Sequence, residues 1–143
     1  MTTRAGAGTR QCQTIAGDED VVRVRQLVRA HAVAAKLSLV DQTKLVTAAS
    51  ELARNTLVHG GGGEASIETI DPAAGNGPRL GVRIVFSDKG PGIADVDLAM
   101  TDGYTSGVGL GLGLGGARRL VDEFELDTAP GSGTTVSVTK WAR

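Results

Sequence analysis

An apolar pattern at helical spacing, Asp41 to His59, runs straight into four consecutive glycines, Gly60 to Gly63. At about 100° per residue, Leu45, Val46, Ala48, Ala49, Leu52, Ala53 and Leu57 fall on one broad arc. The glycines end the helix. Glu51 and Asn55 stand four residues apart, so they stack on one side, at the edge of that arc beside Ala48. A carboxylate and an amide are thereby set at the rim of a core, facing whatever packs next to it. The plainer alternative is an amphipathic helix with a solvated Glu and Asn, and the flanking sequence has to decide between the two.

The rest of the chain supplies strands and one further helix of similar length. Residues 1–10 are small, polar and glycine-bearing, and read as a disordered tail before one domain spanning residues 11–143. Gln11 to Ala16 reads as a first strand, with Cys12, Thr14 and Ala16 on one face. Asp18 to Asp20 supplies acidic capping for a helix running to about Leu37, striped by Val21, Val24, Val28 and Ala32. His31 and Lys36 suit its C-terminal dipole. Asp41 is the expected N-cap of the central helix. Glu64 to Ile70 alternates as a strand, with Ala65, Ile67 and Thr69 on one face. Asp71 to Arg79 reads as a hairpin loop, and Leu80 to Phe86 as a strand stopping at Ser87-Asp88. Asp95 to Met100 suggests a short helix, and Leu112 to Phe124 a longer one. Glu125 to Thr128 and Thr134 to Trp141 read as final strands around the Pro130–Gly133 turn. This order predicts an α/β (α+β) two-layer sandwich, a mixed sheet with helices on one face.

Composition narrows the function classes. A net charge of −1 leaves no electrostatic footprint for nucleic acid. No run approaches the ~18 apolar residues of a membrane span, and no apolar signal core opens the chain. One cysteine and two histidines, scattered, make a zinc site a poor expectation. A cytoplasmic protein without nucleic-acid or membrane partners is expected.

Glycine is the unusual residue, at 21 of 143. Asp88-x-Gly90-x-Gly92 directly follows a buried strand. A carboxylate there can accept a hydrogen bond from an exocyclic amine, while the glycines let backbone approach a flat ligand. An Asp-Gly turn after a strand is also commonplace. From Gly107 to Gly116, six of ten residues are glycine. Backbone amides there, at the start of a helix, suit phosphate. Gly111, Gly113 and Gly116 match G-x-G-x-x-G, but no strand feeds into them, so a dinucleotide site lacks its context. The P-loop pattern and the signatures of eukaryotic-type protein kinases are absent. Gly131-Ser132-Gly133-Thr134 alone is a hairpin turn.

In order, Glu51-x-x-x-Asn55, Asp88-x-Gly90-x-Gly92, Gly107–Gly116 and Gly133-Thr134 resemble the motifs of the GHKL ATP-binding family. That family includes gyrase, Hsp90, histidine kinases and anti-sigma-factor kinases, and the likeness covers residues 11–143. Within it, residues 48–55, 88–93 and 102–107 and the Lys140-Trp141 ending look most like the serine/threonine switch kinases of the bacterial stressosome. Leu57-Val58-His59-Gly60 is nearer the anti-sigma-factor kinases. The resemblance implies the Bergerat-type ATP-binding fold and the use of ATP and Mg²⁺. It implies that Asn55 helps hold Mg²⁺ and that Glu51 is the catalytic base. It gives Asp88 the adenine amino group, with Gly90 and Gly92 beside the base and Thr134 assisting through water. Gly107, Gly109, Gly111 and Gly113 would belong to a lid over the phosphates. The implied partners are a STAS-domain antagonist as phosphoacceptor and a PP2C-type phosphatase, or alternatively a sigma factor sequestered in a nucleotide-dependent way. No helix pair with an exposed histidine precedes the domain, which argues against a self-contained histidine kinase.

Overall fold

The computed structural model describes residues 10–71, 79–100 and 113–143. Its elements, in order, are β1 (Arg10–Ile15), α1 (Asp18–Ala34), α2 (Leu39–Val58), β2 (Gly63–Ile70), β3 (Gly81–Asp88), α3 (Val96–Ala99), α4 (Gly113–Arg119), β4 (Glu123–Thr128) and β5 (Thr134–Trp141). The strands form one sheet in the order β1-β2-β3-β5-β4. The two-layer sandwich is as expected, but the sheet is antiparallel at every pairing rather than mixed. β3 and β4 do run the same way; β5 returns between them and keeps them apart.

The register explains which face is dry. Ala65, Ile67 and Thr69 of β2 lie opposite Phe86, Ile84 and Val82 of β3, and Phe86 and Ile84 face Val136 and Val138 of β5. All of these are buried, and α1 and α2 close over them with Val24, Val28, Ala32, Leu45, Ala48, Ala49 and Leu52. A buried Leu or Ile side chain contributes about 1.5–3 kcal/mol relative to exposure, so this single core carries the fold. The open face is polar. On the edge strand β4 it presents Glu123, Glu125 and Asp127, three acids at alternate positions.

Helix ends depart from expectation for local reasons. α1 stops at Ala34 instead of near Leu37. Lys36 adopts φ +66°, so that Leu37 N–H donates to Ala32 and Lys36 N–H to Val33. This is a Schellman closure made without glycine. At the other end the Asp20 carboxylate accepts from the amides of Ala16 and Gly17. Those bonds, the Ala16 amide foremost, hold Asp20 below the usual carboxylate range.

The N-cap of α2 is Ser38, whose Oγ accepts from Asp41 N at 3.1 Å. Asp41 is therefore not the cap. It turns to the buried Lys140 ammonium at 3.6 Å and to Arg143 at 3.8 Å, while Asp122 meets the same two cations. Two carboxylates for two cations leave no buried charge uncompensated, which is the condition for such a cluster to persist.

α4 is also shorter than expected. Its last amides fall back to i→i−3 bonds, Leu120 to Ala117 and Val121 to Arg118. Asp122 N–H then joins β5 at Thr139. Phe124, expected on the helix, is a strand residue of β4. A helix holding Gly115 and Gly116 has little propensity to continue. β1 begins at Arg10, and its Cys12 side lies on the open face.

Candidate active site

The C-terminal half of α2 forms one wall of a cavity of about 310 Å³, closed by the end of β3, the loop after it, α3, the start of α4 and the first residues of β5. That volume is at the lower end of small-molecule sites. Its inner surface is apolar, with Leu52, Phe86, Ile93, Leu114 and Val136. Among its polar lining groups are Glu51, Asn55, Asp88 and Thr134, with Arg54, Thr56, His59 and Asp95 beside them. The four sequence-singled residues of α2, β3 and β5 are thus brought together by the fold.

Glu51 is buried although its helix neighbours Leu52 and Ala53 are core residues. Its Oε2 accepts from the Gly113 amide at 3.3 Å. The first turn of α4 is therefore hung on the carboxylate. Asn55 is half-buried one turn later, with its backbone carbonyl accepting from His59 and Gly60 as the helix ends. Thr56 returns its hydroxyl to Leu52 O.

Asp88 ends β3, paired with Thr134 on one side and Gly63 on the other. Its Oδ1 accepts from Gly90 N at 2.8 Å, which folds the loop back; among the described residues Oδ2 takes no hydrogen bond. Packing here tolerates no side chains. A Cβ on Gly60 would meet the Asp88 carboxylate, and one on Gly90 would meet Gly60 backbone. Gly92, at φ +76°, lies against the Ala129 carbonyl, and Gly131 N–H donates to Pro91 O at 2.6 Å. The loop after β3 and the β4–β5 turn are thereby interlocked.

Thr128 is the residue that sequence reading missed. Its hydroxyl donates to Gly133 O at 3.1 Å, accepts from Ile93 N at 2.9 Å and meets Thr134 Oγ1 at 2.9 Å. A hydroxyl has one proton. With that proton on Gly133 O, Thr134 must donate to Thr128, and Thr134, which lines the cavity, keeps its remaining lone pairs as acceptors. The only sequence signal was a threonine closing a strand just before Ala129-Pro130-Gly131. Gly60 was legible as a helix stop but not as a contact of Asp88. Gly107, Gly109 and Gly111 lie outside the described residues; of the glycines expected over the phosphates, Gly113 is described, and it touches Glu51.

Among the described residues no group of three or more His, Cys, Asp or Glu side chains could hold a metal. An amide oxygen at Asn55 can serve as a protein ligand for an ion such as Mg²⁺. That ion keeps most of its shell as water and phosphate oxygen.

The chain is 42% identical over 132 residues to the serine/threonine-protein kinase RsbT of Bacillus subtilis, covering 92% of this chain and 96% of the relative. It is 30% identical over 120 residues to an anti-sigma F factor of Thermoanaerobacter, covering 82% of each. The crystal structure of the RsbU and RsbW domains of a Mycobacterium tuberculosis protein superposes with a TM-score of 0.61 at 23% identity. That match spans 92% of this chain and 31% of the other, and it speaks for the fold alone. A family model described as histidine kinase-, DNA gyrase B-, and HSP90-like ATPase matches residues 40–142, and the chain belongs to that family.

Proposed function

We propose that the protein is an ATP-dependent serine/threonine kinase of a partner-switching pathway. The observation that carries this reading is the convergence of Glu51, Asn55 and Asp88 on one apolar-floored cavity. Asp88 Oδ2 accepts from the exocyclic amine of adenine, and the acceptor-only face of Thr134 takes a bridging water. Asn55 would hold Mg²⁺, which when bound would supply charge neutralisation during transfer. Glu51 takes the proton of the incoming serine or threonine hydroxyl. The hydroxyl oxygen forms its bond to the γ-phosphorus as the bond to the β,γ-bridging oxygen breaks, and ADP leaves. The acceptor is a STAS-domain antagonist, after which the kinase binds a PP2C-type phosphatase. No helix among the described residues is long and apolar enough to cross a membrane, which fits a cytoplasmic switch.

Similarity to an anti-sigma F factor favours a second reading, in which the chain holds a sigma factor and nucleotide sets the affinity. The test is intact mass. Protein, Mg-ATP and an antagonist domain should give one added phosphate on the antagonist, lost with Glu51→Gln. ATP binding without transfer to either of two antagonists, together with capture of a sigma factor, would favour the second reading.

A further inference from the structure

The cavity that would take ATP is itself acidic. Glu51, Asp88 and Asp95 line it, and among the described residues its single permanent cation is Arg54. A triphosphate cannot be held against three carboxylates without compensating charge, and Mg²⁺ covers only part of the need. Arg54 is exposed and forms no ion pair with any described residue. The obvious intrahelical partner, Glu51 three residues earlier, is committed to the Gly113 amide. Among the described residues the guanidinium thus has no ion-pair partner, and it lies at the mouth of the cavity on the same helical turn as Glu51 and Asn55.

We propose that Arg54 binds the terminal phosphoryl group of the nucleotide. This rests on the ATP reading above. The placement selects the terminal group, since Arg54 adjoins the residues given to the phosphates, Glu51 and Asn55, while the base lies by Asp88. The chemistry suits it, because a planar guanidinium offers two parallel N–H donors to phosphate oxygens. The bond is made to the group being transferred, so Arg54 distinguishes ATP from ADP and stabilises charge on the moving phosphoryl. The residue it competes with in explanation is an ordinary solvated arginine on the outer side of a helix.

The test uses the full chain with Arg54→Ala and Arg54→Lys, and titrates Mg-ATP and Mg-ADP by calorimetry. Arg54→Ala should weaken ATP by about 10- to 100-fold, the range for a charge-assisted hydrogen bond, and ADP by less than about 3-fold. Arg54→Lys should fall between, as a point charge without the fork. Equal losses for both nucleotides, or no loss for either, would overturn the inference. Unchanged ADP affinity also certifies that the variant is folded. If the unmodified protein binds no ATP, the ATP reading fails and this inference with it. If it binds ATP and Arg54→Ala does too, equally well, only the role of Arg54 fails.

Discussion

The two walls of the cavity are built differently. Around Asp88 the wall is over-determined. Gly60, Gly90, Gly92 and Gly133 allow backbone and carboxylate to close on one another, and the Thr128 hydroxyl ties the loop, the turn and β5 with three contacts. Across from it, α4 meets the polar face of α2 through Glu51 and the Gly113 amide at 3.3 Å, with Leu114 and Ala117 buried behind it. A site that binds a rigid flat ring benefits from a wall already in place, since little ordering remains to be done on binding. A site that handles a flexible, charged tail and then releases the product gains from a wall that the ligand itself completes. Under the proposed function, the wall around Asp88 is the one for the flat ring and the α4 wall the one for the transferred group.

Four experiments press on that contrast. Glu51→Gln should cut phosphoryl transfer by about 10²- to 10⁴-fold and leave ATP affinity within a few-fold, because the amide oxygen can still accept from Gly113. Single-turnover transfer beside calorimetry separates the two, and a loss of affinity alone would make Glu51 a strut rather than a base. Asp88→Asn should weaken ATP by about 10- to 100-fold, since an amine placed at Oδ2 would meet an amide instead of a carboxylate. Retained affinity would remove the base from that wall.

Thr128→Val keeps the shape and deletes all three contacts, leaving Ile93 N–H and Gly133 O without their partner. A stability loss of about 1–3 kcal/mol is expected by chemical denaturation, together with weaker nucleotide binding. No loss would show that the glycine contacts alone hold the wall.

The smallest effect is a control outside both walls. His31 is buried between α1, β1 and β2, with Nε2 against Gln11 Oε1 at 2.8 Å and Nδ1 against Thr69 Oγ1 at 2.7 Å. Gln11 Oε1 can only accept, so Nε2 carries the proton and Nδ1 accepts from the Thr69 hydroxyl. Burial pushes the imidazole below its ordinary value of 6.5, with Glu68 acting the other way. The unfolded chain then takes up a proton that the folded protein resists. The His31 contribution is complete above about pH 6.5 and is lost as pH falls below it. The slope should not exceed about 1.4 kcal/mol per pH unit. Denaturation curves across pH 5–7 should flatten in His31→Gln, while the ATP-to-ADP affinity ratio of the variant stays that of the unmodified protein.

Periodicity and spacing made much of this legible beforehand. The buried arc of α2, the alternation of β2 and the strand pair at the end follow from local pattern, so they survive in the fold. The Glu51–Asn55–Asp88–Thr134 set was visible only through the order of its motifs, which resembles the GHKL family; taken singly, a helix-edge pair, an Asp-Gly turn and a hairpin turn each had a plain structural reading. What escaped was whatever depends on non-local partners. Asp41 was read as a cap because nothing in the sequence places Lys140 and Arg143 beside it. The antiparallel insertion of β5 is invisible without knowing where the chain returns. Thr128 matters only because Ile93 and Gly133, distant or nearby in sequence, both point their backbone at it. Lys36 at φ +66° ended a helix that its composition would have continued.

The row of acids along β4 does nothing for the cavity, yet it governs how copies of the chain behave together. An outer strand offers unpaired backbone that a second molecule could extend, and Glu125 and Asp127 set like charges in the path of that approach. The guard is electrostatic and is therefore weakened by salt, whose screening length falls to about 3 Å at 1 M. Concentrated stocks of an Glu125→Val, Asp127→Val protein should scatter light well before the parent does. Solubility at high concentration is thus expected to be set at a sheet edge that lies outside the cavity.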